Sequence, residues 1–331
     1  MESAQYGKPA HDEHLFIVIH QTYELWFKQI LYEIDAVRDI LLPTYIHQKH
    51  FTKVVAGLTR VSEIFRVINQ QLTILETMTP LGFLEFRDHL FPASGFQSVQ
   101  FRKLENKLGL LPEQRVSYGK RSYCSYLSES HGQECLLTED EKSIFDVVEA
   151  WLERTPFLEF GSFSFWKHYK EAVSRMEERD LEYIRASDTI PEVEKATMYD
   201  DLKLKYKHHA MIYDENEYNS LKAKGSVRLS LRAMQAALLI MLYQDEPILQ
   251  LPNRMLMLLF DVDQHLTQWR YRHASMVSRM IGSKMGTGGS SGYNYLRATA
   301  SVSLWRASSP FLLFICSNIA SLKIYFNCQH F

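Results

Sequence analysis

The chain of 331 residues contains little of what builds turn-rich or covalently cross-linked folds. It has only 14 glycines and 10 prolines, which argues against an all-β fold with many tight turns. Its four cysteines form no Cys-x-x-Cys pair and no zinc-type spacing, so we expect free thiols in a reducing compartment. These cysteines are Cys124, Cys135, Cys316 and Cys328.

An excess of charge and long apolar runs are also absent. The 37 basic and 39 acidic residues leave a formal charge of −2, which predicts neither nucleic acid nor a membrane surface as a partner. No apolar run approaches the roughly 18 residues that a transmembrane helix needs. The N-terminus lacks the basic and then apolar order of a signal peptide. We therefore expect a cytoplasmic globular protein.

The pattern that is present is helical. Apolar residues recur at three- and four-residue steps from Phe16 to Val37 and again from Val54 to Leu75, which is typical of amphipathic helices. No segment alternates as a strand does, so the predicted fold class is all-α. The polar residues 110–137 are predicted to form a long surface loop, and residues 138–141 a capping box that opens the next helix.

The second half of the chain contains a region dominated by charges of both signs, residues 166–224. It predicts two long solvated, peripheral helices with a break at residues 187–191. A further helix is expected to end at Pro247, and another to run from Pro252 to about residue 285. We expect a short extension over residues 1–10, one helical domain over residues 11–300, and a divergent tail over residues 301–331.

The first cluster with chemical potential is the His-Asp-Glu-His run at residues 11–14, followed by His20. Its spacing matches no established metal motif, and acidic residues also suit the first turn of a helix. His20 shares an apolar face with Phe16 and Phe27. It is either a satisfied core histidine or a polar group that faces a dry ligand pocket.

Two further candidates are Arg87 and His273. Arg87 lies among aromatic residues before a Ser-Gly break, and it pairs either with a nearby carboxylate or with the carboxylate of a ligand. His273 lies in the middle of a predicted helix, near Met276 and Met280. This placement suits an ordinary helix residue or an axial haem ligand. The glycine-rich residues 286–292 lack the Lys-Ser/Thr of a phosphate loop and suit a loop that closes over a ligand.

Five motifs together carry a resemblance to a known family. Residues 11–16, 20–29, 87–102, 151–156 and 286–296 resemble, in order, the tryptophan 2,3-dioxygenase family, and the similarity covers about residues 10–299. The resemblance implies a helical haem-binding bundle that inserts both atoms of O₂ into the indole C2–C3 bond of L-tryptophan. The product is N-formyl-L-kynurenine, and the reaction is the first step of the kynurenine pathway. It also implies one haem b per subunit, ferrous in the active form, and a homotetramer.

The same resemblance implies a role for each matching residue. His273 would be the axial ligand of the haem iron, and His20 would be the catalytic residue that contacts the indole N–H. Arg87 would bind the substrate carboxylate, and Thr287 the amino-acid end of the substrate. The walls of the indole pocket would be Phe16, Phe83 and Leu90. Ser94 and Gly95 would lie at the haem edge.

Both ends of the chain depart from the family pattern. The family carries a longer N-terminal segment that reaches a neighbouring subunit, and after Thr299 the sequence here no longer follows the expected one. We expect the tail not to be part of the active fold. One alternative is a catalytically inert isoform that binds haem or modulates the full-length tetramer. Another is an indoleamine-type dioxygenase with a looser substrate preference.

Overall fold

A computed structural model describes residues 2–116, 123–156, 158–282, 284, 286, 292–302, 304–305 and 322. These residues are mainly helical, which confirms the all-α prediction. The exception is a two-residue antiparallel ladder between β1 (Glu159–Phe160) and β2 (Phe163–Ser164). Strands this short show no alternation in the sequence, so the strand-free expectation missed them. Among the described helices, none is long and apolar enough to cross a membrane.

The chain divides into two compact units. The first contains Met1–Val148 and Arg254–Trp305, and the second contains Glu149–Asn253. Two helices run through both units, namely α7 (Ile144–Glu153) and α12 (Pro247–Ile281). The other helices of the first unit are α1 (Ser3–Tyr6), α2 (His11–Leu41), α3 (Gln48–Leu75), α4 (Pro80–Leu84), α5 (Val99–Leu108), α6 (Glu129–Asp140) and α13 (Tyr293–Ala300).

The core of the first unit is built on α2, which packs against α3 and α5. The apolar residues that recur at the predicted helical spacing form the buried face of each helix. Among them, Ile30, Ile34 and Ile68 are completely inaccessible to solvent. The start of α2 is fixed by Glu13, whose carboxylate accepts hydrogen bonds from the backbone N–H groups of Glu2 at 2.7 Å and Ser3 at 3.3 Å. Among the described residues, no group of three or more His, Cys, Asp or Glu side chains could hold a metal ion.

The predicted loop over residues 110–137 is wrong for its last part, which forms α6. Ser128 caps this helix, and the buried positions are Gly132, Cys135 and Thr138. Such small residues give no hydrophobic period, and the stability of α6 comes from its packing on α5. The Asn106 side chain of α5 donates hydrogen bonds to the Cys135 carbonyl at 3.1 Å and to the Thr138 hydroxyl at 2.9 Å.

Two predicted helix boundaries are also wrong. Thr138 lies inside α6, and the cap of α7 is Ser143, whose hydroxyl accepts from the backbone N–H of Asp146 at 3.2 Å. The helix α12 begins at Pro247 and continues through Pro252. Because the first four N–H groups of a helix have no internal partner, a proline in the sixth position removes only one hydrogen bond and is tolerated.

The second unit contains the predicted charged region and, in addition, an apolar helix. Its helices are α8 (Phe165–Ala186), α9 (Glu192–Ala210), α10 (Glu215–Ala223) and α11 (Leu231–Leu242), and the predicted break at residues 187–191 is confirmed. The helices α8 and α9 pack together, with Tyr169 and His209 hydrogen-bonded at 2.7 Å in their interface. The apolar α11 belongs to this unit, so the unit is larger than the predicted excursion over residues 166–224.

The chain after Thr299 still packs into the first unit. Leu304 and Trp305 are 1% and 5% exposed, and the Trp305 ring lies 4.8 Å from that of Phe145. The backbone N–H of Leu304 donates to the Asp263 carboxylate at 2.7 Å. Folded structure therefore extends at least to residue 305, beyond the predicted start of the tail at residue 301.

Candidate functional site

The first unit contains a cavity of about 330 Å³. Its walls come from the N-terminal half of α2, the end of α3, α4 and the chain that leads to α5, α5 itself, α12 and α13. Eight of the nine predicted site residues line this one cavity, although they are spread over most of the sequence. They are Phe16, His20, Phe83, Arg87, Leu90, Ser94, Gly95 and His273. The ninth, Thr287, lies outside the described residues.

His273 projects into the cavity from α12. Its ring stacks on that of Trp269, one turn earlier, with centroids 5.3 Å apart. Burial, with a smaller contribution from the proximity of His20, lowers the pKa of His273 to about 4. The imidazole is therefore neutral at physiological pH, which is the form that ligates a metal.

One part of the cavity wall is apolar. It consists of Leu72, Leu75, Met78, Met276, Val277 and Met280. A neutral imidazole that projects from a rigid helix into an apolar slot is the arrangement that haem iron requires from an axial ligand. The residues present therefore fit a haem group, with His273 as the ligand of its iron.

His20 faces the same cavity from α2. Its Nδ1 lies 2.7 Å from the Phe16 carbonyl oxygen, and since a carbonyl only accepts, Nδ1 carries the proton. The neutral ring then has an unprotonated Nε2, which is a hydrogen-bond acceptor. Burial lowers the pKa of His20, and the nearby Glu24 carboxylate opposes this shift. His20 is thus a neutral acceptor at pH 7.

An aromatic wall adjoins His20. The rings of Phe16, Phe83 and Phe86 form a triangle with centroid distances of 5.9 Å, 5.4 Å and 5.3 Å. The helical spacing of Phe16, His20 and Tyr23 places all three on the cavity side of α2. This wall can take a flat apolar ring, with an acceptor at one edge of it.

The chain between α4 and α5 supplies the polar edge of the cavity. Arg87 begins a short 3₁₀ helix, Arg87–Leu90, and is half-buried at the cavity. A second 3₁₀ turn, Gly95–Gln97, is capped by Ser94, whose hydroxyl accepts from the backbone N–H of Phe96 at 3.3 Å. Arg87 can therefore meet an anionic group that enters the cavity.

A buried charged cluster at the cavity was missed by the sequence analysis. Its carboxylate is Glu105, and three guanidinium groups surround it at 2.9 Å (Arg102), 2.6 Å (Arg115) and 2.7 Å (Arg270). Burial alone would raise the pKa of Glu105, but the three arginines overcome this and lower it to about 2. Glu105, Arg102 and Arg270 line the cavity.

One signal for this cluster was available in the sequence. Arg102 and Glu105 are three residues apart, on the turns of α5 that also carry the buried Leu104 and Leu108. The partners Arg115 and Arg270 are remote in sequence, so no local pattern indicates them.

Comparison with known proteins places the chain in one family. The family model described as tryptophan 2,3-dioxygenase matches residues 1–308. The tryptophan 2,3-dioxygenase of Bdellovibrio bacteriovorus is 49% identical over 295 residues, which cover 89% of this chain and 82% of that protein. Those of Dictyostelium discoideum and Mus musculus are 48% and 45% identical, and the alignments cover 90% and 91% of this chain and 74% of each relative.

The buried cluster generates a prediction about stability. We expect Glu105→Gln to lower the free energy of unfolding by about 3–5 kcal/mol, because it leaves three buried guanidinium groups without their carboxylate. The matched control is Glu134→Gln, which removes an exposed pair with Lys103 and should cost less than about 1 kcal/mol. Chemical denaturation of both variants and the wild type measures the difference.

The pH dependence of this difference has a definite sign. The pKa of Glu105 is lowered from 4.5 to about 2, so its contribution is complete above pH 4.5 and is lost as the pH falls toward 2. The difference in the free energy of unfolding between the wild type and Glu105→Gln should therefore decrease below pH 4.5. If Glu105→Gln lowers the free energy of unfolding no more than Glu134→Gln does at neutral pH, then Glu105 does not stabilise the buried cluster.

Proposed function

Because the chain belongs to the tryptophan 2,3-dioxygenase family, we propose that the cavity of the first unit binds haem and L-tryptophan side by side. The family uses haem and O₂ to open the indole ring of tryptophan, in the kynurenine pathway. The observation that carries the proposal is that one cavity joins a neutral His273, a neutral His20 and Arg87.

His273 would hold the iron of one haem b per subunit, ferrous in the active form. When bound, the haem would supply an iron centre that binds and activates O₂, a chemistry that the side chains of this protein cannot provide. The neutral state of His273 and the apolar wall beside it support this assignment. Ser94 and Gly95 would border the edge of the cofactor.

The substrate would be oriented at both of its ends. Arg87 would bind the carboxylate of L-tryptophan as a bidentate pair, and Nε2 of His20 would accept the indole N–H. The rings of Phe16 and Phe83, together with Leu90, would flank the indole and exclude water. Thr287 would contact the amino-acid end of the substrate.

The reaction makes small demands on proton transfer by the protein. N-formyl-L-kynurenine contains every atom of L-tryptophan and of O₂, so no proton is gained or lost overall. His20 needs only to hold the indole proton at Nε2 while the ring opens. A carboxylate general base is not required, and orientation by Arg87 and His20 is the main contribution of the chain.

The assembly we propose is a homotetramer. Its support is an exposed apolar stripe on α2, where Val18, Leu25 and Tyr32 are spaced by seven residues and are 41%, 68% and 72% exposed. A stripe of this kind is costly on an isolated chain and suits a surface that another copy covers.

The first prediction concerns Arg87. We expect Arg87→Ala to lower kcat/KM for L-tryptophan by a factor that corresponds to about 2–5 kcal/mol, which is the cost of leaving the substrate carboxylate unpaired. Tryptamine lacks that carboxylate, so its kcat/KM should change little. Steady-state kinetics with both substrates measure the two effects.

The control for Arg87→Ala is Arg66→Ala, which removes an exposed arginine paired with Glu63. This control should leave the preference for L-tryptophan over tryptamine intact. Equal losses with both substrates in Arg87→Ala would show that Arg87 supports the fold and does not bind the carboxylate.

The second prediction concerns pH. Protonated His20 cannot accept the indole N–H, and burial lowers its pKa below the ordinary value of 6.5. We therefore expect kcat/KM to fall on the acid side of neutral pH, with an apparent pKa below 6.5. The pH profile of kcat/KM for the holoenzyme measures this limb.

Two variants identify the group responsible. His20→Gln should remove the acid limb and lower the plateau, whereas His131→Gln, at an exposed position, should change neither. If the acid limb persists unchanged in His20→Gln, then another group titrates and His20 is not the acceptor.

A further inference from the structure

The cluster around Glu105 has more positive than negative charge. Three guanidinium groups contact one carboxylate, which leaves two positive charges in excess. Arg102 and Arg270 are only 8% and 5% exposed, so water does little to screen them. Uncompensated buried cations are costly, and such an excess points to anions that are bound in the functional protein.

Among the residues that the structure describes, the groups around the cluster do not supply these anions. Glu139 accepts the hydroxyl hydrogen of Tyr123, whose ring centroid lies 4.1 Å from the Arg115 guanidinium carbon. The carboxylate of Glu134 is bound to Lys103, and that of Glu141 is bound to Lys107 and Arg38. Tyr295 lies beside Arg102 but is neutral at pH 7, because burial raises the pKa of its hydroxyl.

The hydrogen bonds of Arg102 are also incomplete. Its Nη1 donates to Glu105 at 2.9 Å, but its buried Nε has no hydrogen-bond partner. The Nη1 of Arg270 donates to the Val302 carbonyl at 3.1 Å, which still leaves the positive charge uncompensated. A buried guanidinium with an unused donor at a cavity wall is suited to an anionic oxygen.

The position of the cluster identifies the anion. Arg270 precedes His273 by three residues on α12, so the two side chains lie on the same side of the helix, about one turn apart. Both residues line the cavity, as does Arg102. A group held on His273 therefore has Arg102 and Arg270 beside it. Haem carries two carboxylates on one edge, and their charge of −2 equals the excess of the cluster.

We propose that Arg102 and Arg270 bind the two propionate carboxylates of the haem, with Glu105 and Arg115 holding these arginines in place. This assignment rests on the proposed function, which puts the haem on His273. The carboxylate of L-tryptophan is a weaker fit, since a single negative charge would leave one buried cation uncompensated. The two anions are thus divided between two sites, with Arg87 left for the substrate.

The test compares haem with haem dimethyl ester, in which both propionates are blocked, in the full chain. Loss of each cofactor from the loaded protein to an excess of an apoglobin acceptor is followed by absorbance. In the wild type we expect the ester to dissociate roughly 10- to 100-fold faster, the value of a charged hydrogen bond. In Arg102→Gln the haem itself should dissociate faster, and the ratio of ester loss to haem loss should fall below the wild-type ratio, because only Arg270 still binds a propionate.

The matched control is Arg272→Gln. Arg272 is adjacent to His273 and pairs with Glu76 at 3.0 Å, but it is not among the residues that line the cavity. The Arg272→Gln variant should keep the wild-type ratio of ester loss to haem loss. An ester-to-haem ratio as large in Arg102→Gln as in the wild type, or a ratio of one in the wild type, would overturn the proposal.

A second readout does not depend on haem exchange. Reduction of haem iron lowers its charge by one, so a nearby cation favours the reduced form. The midpoint potential of the holoenzyme should therefore fall in Arg102→Gln, recover in Arg102→Lys, and stay constant in Arg272→Gln. If the potential is the same in all four proteins, Arg102 is not beside the haem edge.

The outcomes separate this inference from the proposed function. Wild-type protein that binds no haem, or that binds it equally well in His273→Ala, contradicts the proposed function. Protein that binds haem through His273 and turns over L-tryptophan, but shows no coupling between Arg102 and the propionates, contradicts only the inference.

Discussion

The ion cluster around Glu105 connects segments that are remote in sequence. One carboxylate binds Arg102 of α5, Arg115 in the chain that follows it, and Arg270 of α12, and burial makes each of these contacts hard to replace by water. The other donors of Arg270 extend the connection to the carbonyl of Val302, beyond α13. Since α12 also carries His273, the position of that imidazole depends on this cluster.

Different parts of the cavity wall suit different chemical groups. The apolar side chains of the wall suit the face of a macrocycle, and the rings of Phe16 and Phe83, with Phe86 packed behind them, suit an indole. Burial keeps the two histidines neutral, so that one can ligate a metal and the other can accept a hydrogen bond. Arginines at two different places can then bind anions of two different molecules.

The sequence predicted what depends on local pattern. The buried face of α2, the break at residues 187–191 and the family were all predictable from residue spacing and motifs. The helix α6 was not, because its buried face consists of small residues, and tertiary packing on α5 stabilises it. The Glu105 cluster was not predicted either, because a charged residue on a helix usually lies on the solvent-exposed face. The packing of Trp305 was missed for a related reason, since its partner Phe145 is 160 residues away.

The central claim is that His273 holds the haem on which L-tryptophan is oxidised. The most direct measurement is the absorption spectrum of the reduced, haem-loaded protein, followed by addition of L-tryptophan and O₂. We predict a Soret band in the wild type and formation of N-formyl-L-kynurenine that depends on L-tryptophan. In His273→Ala, with its helical circular dichroism retained, both should be lost. A normal Soret band in His273→Ala, or a haem-loaded wild type that forms no product, would contradict the claim.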